Sequence, residues 1–325
     1  MRPLCAADVA TIIGHRGAPG YRPEHTRASY LLAIAMGADA VEPDLLMTRD
    51  GVVVVRHESD LRATTDVADH PELPGHRVED LTLAELKTLR TVERFPGTRP
   101  RNGRWDGVEK VLTFDELLLL LAAETRRLRR PIGLYAELKD ASRLACLGLS
   151  LEDAVLDVLR DHGLDGRDAG VHLQSFEPTC LHRLRERTEL RLVQLVEASG
   201  VPVDLAAAGD PTTYDDLASP RGLRMLARYA DAVGLAKSRL LGQPADAEAL
   251  VDHAHLSGLR VLAWTVRQEN RFLSPRFRWG EEPDRRGDAA GELAALLDAG
   301  VDGVFCDHPD LALAARDAWR PARVG

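Results

Sequence analysis

Between Ile12 and Asp60 the chain reads Ile-Ile-Gly-His15-Arg16-Gly17, then Pro23-Glu24-His25-Thr26, then Glu42-Pro43-Asp44, and finally Arg56-His57-Glu58. Imidazoles titrate near neutrality, so of two facing one substrate, one can accept a proton while the other donates one. His15 and His57 are the candidates for that pair. Glu42 and Asp44 stand two residues apart, so on a strand both side chains project from the same face. Glu137-x-Lys139 repeats the arrangement farther along. Three carboxylates brought together repel by about 3–4 kcal/mol per pair at an effective dielectric near 20. Either one of them holds a proton or a cation sits among them. All-oxygen ligation favours a hard divalent ion, Ca²⁺ or Mg²⁺, over zinc. The competing arrangement pairs the acids with Arg16, Arg56 or Lys139, and the repeat at Glu137 favours the ion. Together these residue types suit metal-assisted chemistry on a phosphodiester, with Arg16, Lys139 and the ion meeting the phosphate charge.

Side chains so far apart in sequence need a scaffold. The β-rich run 9–13 ends at Gly14-His15-Arg16, and Thr26 is a suitable N-cap for a helix over 27–36 closed by Gly37. A strand over 38–48 meets the turn Arg49-Asp50-Gly51, and 52–55 return as its hairpin arm, which brings Arg56-His57 back beside Pro43-Asp44. From residue 113 onward the pattern is regular. Helices are expected over 114–128, 151–162, 177–188, 220–229, 246–257 and 289–299, with a last one after Pro309. Strands are expected over 131–139, 170–174, 190–196, 231–236, 260–265 and 301–306. Leaving the hairpin arm aside, this counts eight strands with helices between them. Short apolar strands alternating with amphipathic helices imply a parallel sheet covered on both faces, and eight such units favour an α/β fold of the (β/α)8 TIM-barrel type. Residues 1–325 read as one domain, with an inserted segment at about 62–112 between the second and third barrel strands. That segment carries turn signals and one helix, Leu81 to Leu89 behind Thr82, and is large enough to roof the site.

Active sites of such barrels lie at the carboxyl ends of the strands. Those ends carry His15, Arg16, Glu42, Asp44, Glu137, Lys139, Gln174, Glu197, Lys237, Trp264 and Asp307. Trp264 either fills the barrel mouth or stacks on substrate, and Phe176 shares that status. His25, which precedes a helix cap, has a weaker claim, as do His70, His76 and His308.

The 325 residues are 45% hydrophobic and 29% charged, ordinary for a soluble globular chain, and the net charge of −9 argues against a nucleic-acid surface. Four scattered cysteines without a C-x-x-C pair speak against a thiolate metal site and read as reduced thiols. No stretch is long and apolar enough for stable membrane insertion. The first strand starts too early to leave room for a signal peptide, so a cytoplasmic protein is expected, or a secreted one if the true start lies upstream. A homodimer is left open.

These residues resemble a known family. His15-Arg16-Gly17, Pro23-Glu24-His25-Thr26, Gly37-Ala38-Asp39, Glu42-x-Asp44, Thr48-Arg49-Asp50-Gly51 and His57 look like the signature block of glycerophosphodiester phosphodiesterases. Glu137-x-Lys139, Gln174-Ser175-Phe176, Trp264-Thr265-Val266 and the run from Asp302 to Asp307 are similar to its later strand-end motifs. Thr65-Asp66-Val67-Ala68-Asp69 resembles the longer bacterial, periplasmic-type branch, often Ca²⁺-dependent. The resemblance implies a divalent metal on Glu42, Asp44 and Glu137, with His15 and His57 as the acid–base pair. It also implies Arg16 and Lys139 on the phosphate, and Gln174, Phe176 and Trp264 are expected to line the substrate site. The expected reaction is hydrolysis of a glycerophosphodiester, such as glycerophosphocholine or glycerophosphoethanolamine, to sn-glycerol 3-phosphate and an alcohol. A lysophospholipase D or sphingomyelinase-D-like activity on the same barrel is the alternative, or a silent barrel that only binds polyol phosphates. Two departures stand out: Glu58 replaces the family's usual Asp after the second histidine, and the branch's secretion signal is absent.

Overall fold

The computed structural model describes residues 9–319. Ten strands form: β1 (Thr11–His15), β2 (Ala40–Glu42), β3 (Asp44–Met47), β4 (Val53–Val55), β5 (Gly133–Leu138), β6 (Val171–Ser175), β7 (Arg191–Val196), β8 (Ala232–Ala236), β9 (Arg260–Val266) and β10 (Gly303–Cys306). β1 pairs in parallel with β2 on one side and β10 on the other, and β2 pairs with β5, which closes the sheet. β2 and β3 are halves of one barrel strand. Pro43 interrupts it because its ring nitrogen has no hydrogen to give to a ladder. Both halves lie on β5, in the registers Ala40↔Gly133 and Asp44↔Glu137. Counted this way the barrel has eight staves, as the alternation of elements predicts.

The strands are buried on both faces, which explains their unbroken apolar character. Ile13, Tyr135, Val193, Leu195, Leu262 and Phe305 fill the barrel interior as one cluster. Their neighbours Ile12, Leu134, Leu192 and Val261 join the larger cluster formed with the surrounding helices. Local chemistry sets the helix ends. Thr26 accepts a hydrogen bond from Ser29 N at the start of Arg27–Met36, and Gly37 ends that helix in the left-handed region at φ 101°. Thr113 and Glu116 form a capping box for Phe114–Leu128.

The hairpin has the expected form. β4 runs antiparallel to β3 with Leu45 opposite Val55, and Arg56 N donates to Asp44 O at 2.9 Å. The inserted stretch differs in detail. Its helix is only Leu83–Leu86, with the capping box of Thr82 and Glu85, and the remainder is short 3-10 turns. Leu61, Val78, Leu81, Leu86 and Leu89 are fully buried, so the segment is sealed to the barrel by apolar contact despite its few repeating elements. Three short helices, Ala141–Cys146, Val203–Ala207 and Tyr214–Ala218, were not expected. At one or two turns each, they are too short to show a periodicity. Trp264 does not end its strand, which continues to Val266 past a register shift against β10. Among the described residues no helix is long and apolar enough to cross a membrane, and Cys146, Cys180 and Cys306 are free thiols. Cys5 lies outside the described residues.

Candidate active site

The first strand delivers His15 at its carboxyl end, and the chain then turns sharply through Arg16 (φ 54°) and Gly17 (φ 92°). A Cβ on Gly17 would lie 2.5 Å from Ser29 Oγ and 2.6 Å from Ser29 C, so only glycine lets the following helix approach this closely. The turn aims Arg16 N at Glu42, whose backbone oxygen and Oε2 both accept at 2.9 Å. Register does the rest. His15 pairs with Glu42 across β1 and β2, and Asp44 pairs with Glu137 across β3 and β5.

The result is a triad of buried carboxylates. One oxygen each from Glu42, Asp44 and Glu137 lies within 4.8 Å of the others. Two ligands on opposite sides of a Ca²⁺ ion, each about 2.3–2.6 Å from it, are about 4.6–5.2 Å apart. The spacing therefore fits one hard cation. The ion pairs expected as the competing arrangement are present too: Arg16 Nε lies 3.1 Å from Asp44 and Lys139 Nζ 2.8 Å from Glu137. They do not balance the cluster. Burial, then the charge of Asp44, holds Glu42 well above the usual carboxylate range. Burial likewise raises Glu137 to about 8, the attraction of Lys139 notwithstanding. Asp44 alone stays well below its ordinary value, because His57, Arg16 and Lys139 together outweigh the cost of burying it. Two neighbouring carboxyls both raised in this way mark a place where positive charge is wanted, and a divalent ion would supply it. Arg56 forms no ion pair with these carboxylates among the described residues; its guanidinium bonds Val55 O and Thr64 O instead.

The two histidines are built alike. His15 Nδ1 meets Asp307 Oδ1 at 2.8 Å, and His57 Nδ1 meets Glu58 Oε1 at 2.6 Å. A carboxylate on Nδ1 fixes the tautomer that leaves Nε2 as the lone-pair nitrogen. In both rings Nε2 has no hydrogen-bond partner among the described residues. Burial, then Arg16, lowers His15 to about 3 against the pull of Asp307. Burial, then Arg16 and Lys139, lowers His57 to about 4. Both imidazoles are neutral at pH 7. Glu58, the departure from the family pattern, thus reaches the ring nitrogen with its longer side chain.

Both histidines line a cavity of about 540 Å³ together with Arg16, Glu42, Glu137, Lys139 and Gln174. Its other wall is apolar. Phe176 meets Trp264 edge-on at 5.5 Å and Tyr214 at 6.4 Å, and Lys139 Nζ lies 5.6 Å from the Phe176 centroid. Trp264 is pinned by its indole N–H, which donates to Gly234 O at 2.9 Å. Gln174 is buried opposite Glu137 on β6, and its Oε1 has no hydrogen-bond partner among the described residues. Of the other strand ends, Lys237 is bound to Glu292 and Phe272 O, while Glu197 lines the cavity.

Several contributors lay outside the pattern. His25, given only a weak claim by its sequence position, is fully buried with φ 58° and joins Asp44 Oδ2 at 2.9 Å and the Tyr30 hydroxyl at 2.8 Å. Glu24 binds Arg16 and Arg94, and Arg94 and Arg99 enter from the inserted segment. Nothing about two arginines in a turn-rich stretch distinguishes them from solvated surface charge.

The model of the glycerophosphoryl diester phosphodiesterase family matches residues 15–311, which is nearly the whole chain. The chain belongs to that family. It is therefore an enzyme of the phosphoric diester hydrolase class, acting on glycerophosphodiesters. A glycerophosphodiester phosphodiesterase of Arabidopsis thaliana is 30% identical, with 91% of this chain and 82% of that protein covered. One from Haemophilus influenzae is 28% identical, covering 92% and 87%. Among solved structures, a glycerophosphoryl diester phosphodiesterase from Silicibacter pomeroyi superposes with a TM-score of 0.72 at 25% identity, over 97% of this chain and 96% of that one. A phosphodiesterase of Oleispira antarctica, solved with the product sn-glycerol-3-phosphate, shares the fold at a TM-score of 0.64 and 22% identity, covering 95% and 98%.

Proposed function

We propose that this enzyme hydrolyses glycerophosphodiesters such as glycerophosphocholine and glycerophosphoethanolamine to sn-glycerol 3-phosphate and the free alcohol. The observation that carries the reading is the pair of like-anchored imidazoles. Each is anchored through Nδ1 and free at Nε2, and both face one cavity beside three buried carboxylates. One Nε2 takes the proton of the attacking hydroxyl as the new P–O bond forms; where that hydroxyl is the glycerol's own, the alcohol leaves behind a cyclic glycerophosphate, which water then opens to sn-glycerol 3-phosphate. The other ring, protonated at Nε2 when the substrate is bound, gives that proton to the departing alkoxide as its P–O bond breaks. The phosphodiester's negative charge favours the protonated form of whichever ring stands nearest the leaving oxygen, offsetting the lowering by burial. Arg16 and Lys139 meet the non-bridging oxygens.

Glu42, Asp44 and Glu137 would hold a divalent cation, Ca²⁺ or Mg²⁺. When bound, such an ion polarises the phosphoryl oxygens and neutralises developing charge. The aromatic wall of Phe176, Tyr214 and Trp264 suits the alcohol half. Glu197, which forms no ion pair among the described residues, favours an alcohol with a cationic amine. The product-bound Oleispira relative supports glycerol 3-phosphate as the retained half.

Release of glycerol 3-phosphate from a panel of glycerophosphodiesters, with and without EDTA, tests the reading. The expected result is turnover that EDTA abolishes and Ca²⁺ or Mg²⁺ restores. Turnover indifferent to EDTA overturns the metal assignment, and no turnover on any member of the panel overturns the substrate assignment.

A further inference from the structure

We infer that the inserted segment completes the catalytic machinery: Arg94 and Arg99 are positioning residues, each locking the carboxylate that orients one of the two histidines. The inference rests on the proposed roles of His15 and His57. Arg94 forks onto Glu58, its Nη1 donating to Oε1 at 2.6 Å and its Nη2 to Oε2, while that same Oε1 receives His57 Nδ1. Five residues on, Arg99 Nη2 donates at 2.7 Å to Oδ2 of Asp307, whose Oδ1 receives His15 Nδ1. Arg267 grips the same Oδ2 at 2.9 Å. Each arginine is itself tied down by a second carboxylate, Arg94 by Glu24 and Arg99 by Glu269. Neither guanidinium is free to swing, and the Arg99 side chain is only 4% exposed.

The segment between them is stiff on its own account. Arg99 N donates to Phe95 O, Phe95 N to Glu93 Oε1, and the Asn102 amide to Glu93 Oε2 and Pro19 O. Arg94 forks onto Glu58, whereas Arg99 forks onto Glu269 and lends Asp307 the Nη2 held in that plane; a planar guanidinium fixes its partner's orientation in a way that a single ammonium does not. The Glu58 carboxylate, one methylene farther from its backbone than the family's usual Asp, has one more torsion to restrain. Arg94 supplies that restraint. One short loop thus sets both imidazole orientations and couples them to each other, because moving 93–99 moves both supports together.

The full-length chain with Arg94→Gln, Arg94→Lys, Arg99→Gln and Arg99→Lys tests this, read out by kcat and KM on glycerophosphocholine and by imidazole ¹⁵N shifts. Arg94→Gln is expected to lower kcat by about 10- to 100-fold with KM nearly unchanged, the range typical for groups that orient a catalytic side chain. It should move the ¹⁵N shifts of His57 and spare those of His15. Arg99→Gln should do the converse. The lysine variants should stay impaired. On a p-nitrophenyl glycerophosphodiester, whose leaving group needs no proton, one of the two defects should shrink, and that identifies the general acid. Unchanged kcat, or a loss matched by the unfolded fraction with both histidines' shifts unmoved, would overturn the inference. A wild type without turnover, but with shifts that respond selectively as described, would reject the proposed reaction and uphold the positioning role.

Discussion

His15 and His57 differ in sequence context yet end up with the same wiring, a carboxylate on Nδ1 and an open Nε2. His15→Ala and His57→Ala should each reduce kcat by about 10²–10⁴-fold, since each removes one proton carrier while leaving the carboxylate cluster intact. Steady-state turnover of glycerophosphocholine measures it, and a fully active single variant removes that histidine from the mechanism. A third histidine shows titration without chemistry. His172 stacks on Tyr135 at a centroid distance of 4.1 Å, and burial, then Arg191 and Arg260, lowers it from 6.5 to about 4. The folded state refuses a proton that the unfolded chain accepts, so this contribution to stability is full above about pH 6.5 and is lost as the pH falls toward 4. Thermal denaturation from pH 7 to 4.5 should therefore cost the wild type more than His172→Phe, which keeps the stack and removes the titration. Residue types and spacing singled out the two imidazoles proposed here as proton carriers. They did not expose His25, because an imidazole before a helix cap reads the same whether it faces solvent or Asp44.

The elements that carry these residues were legible wherever they repeat. Apolar strands ending in charge, and the turn Arg49-Asp50-Gly51 between two β-rich arms, placed His57 beside Asp44 before any fold was known. The turn after β1 was harder to read, since it depends on one glycine. Gly17→Ala should destabilise the chain by more than about 1 kcal/mol, because the residue sits at φ 92° and an added methyl meets the backbone of Ser29. Arg16 would shift with it, so activity should fall faster than stability. Urea denaturation together with kcat separates the two, and a variant as stable and active as the wild type contradicts the close-approach argument. The inserted segment was recognisable as an interruption, but its structure was not. Its turns are held by buried leucines and by side-chain bonds to distant strands, which leave no periodic trace.

At the scale of the molecule, the carboxylate triad exists only because the barrel closes β2, β3 and β5 side by side. A cation bound there should stabilise the folded state by mass action, by about 2.7 kcal/mol at a concentration a hundredfold above its Kd. The melting temperature should rise with Ca²⁺ or Mg²⁺ in the wild type and stay flat in Glu42→Gln and Glu137→Gln. Equal shifts in all three would place the binding elsewhere. Neither carboxamide variant should unfold the chain, because both groups are already raised toward their neutral forms.

The amino-acid sequence determined the alternation that makes a barrel, and it put chemistry at the strand ends, because hydrophobic period and strand polarity are local properties. It also determined which carboxylates share a face, since a strand's side chains alternate strictly. Only the tertiary structure decided which arginines matter. Arg94 and Arg99 acquire their partners Glu58 and Asp307 through contacts that span 36 and 208 positions of sequence. A charge's role is fixed by the distance and dielectric around it, and neither is written in a local pattern.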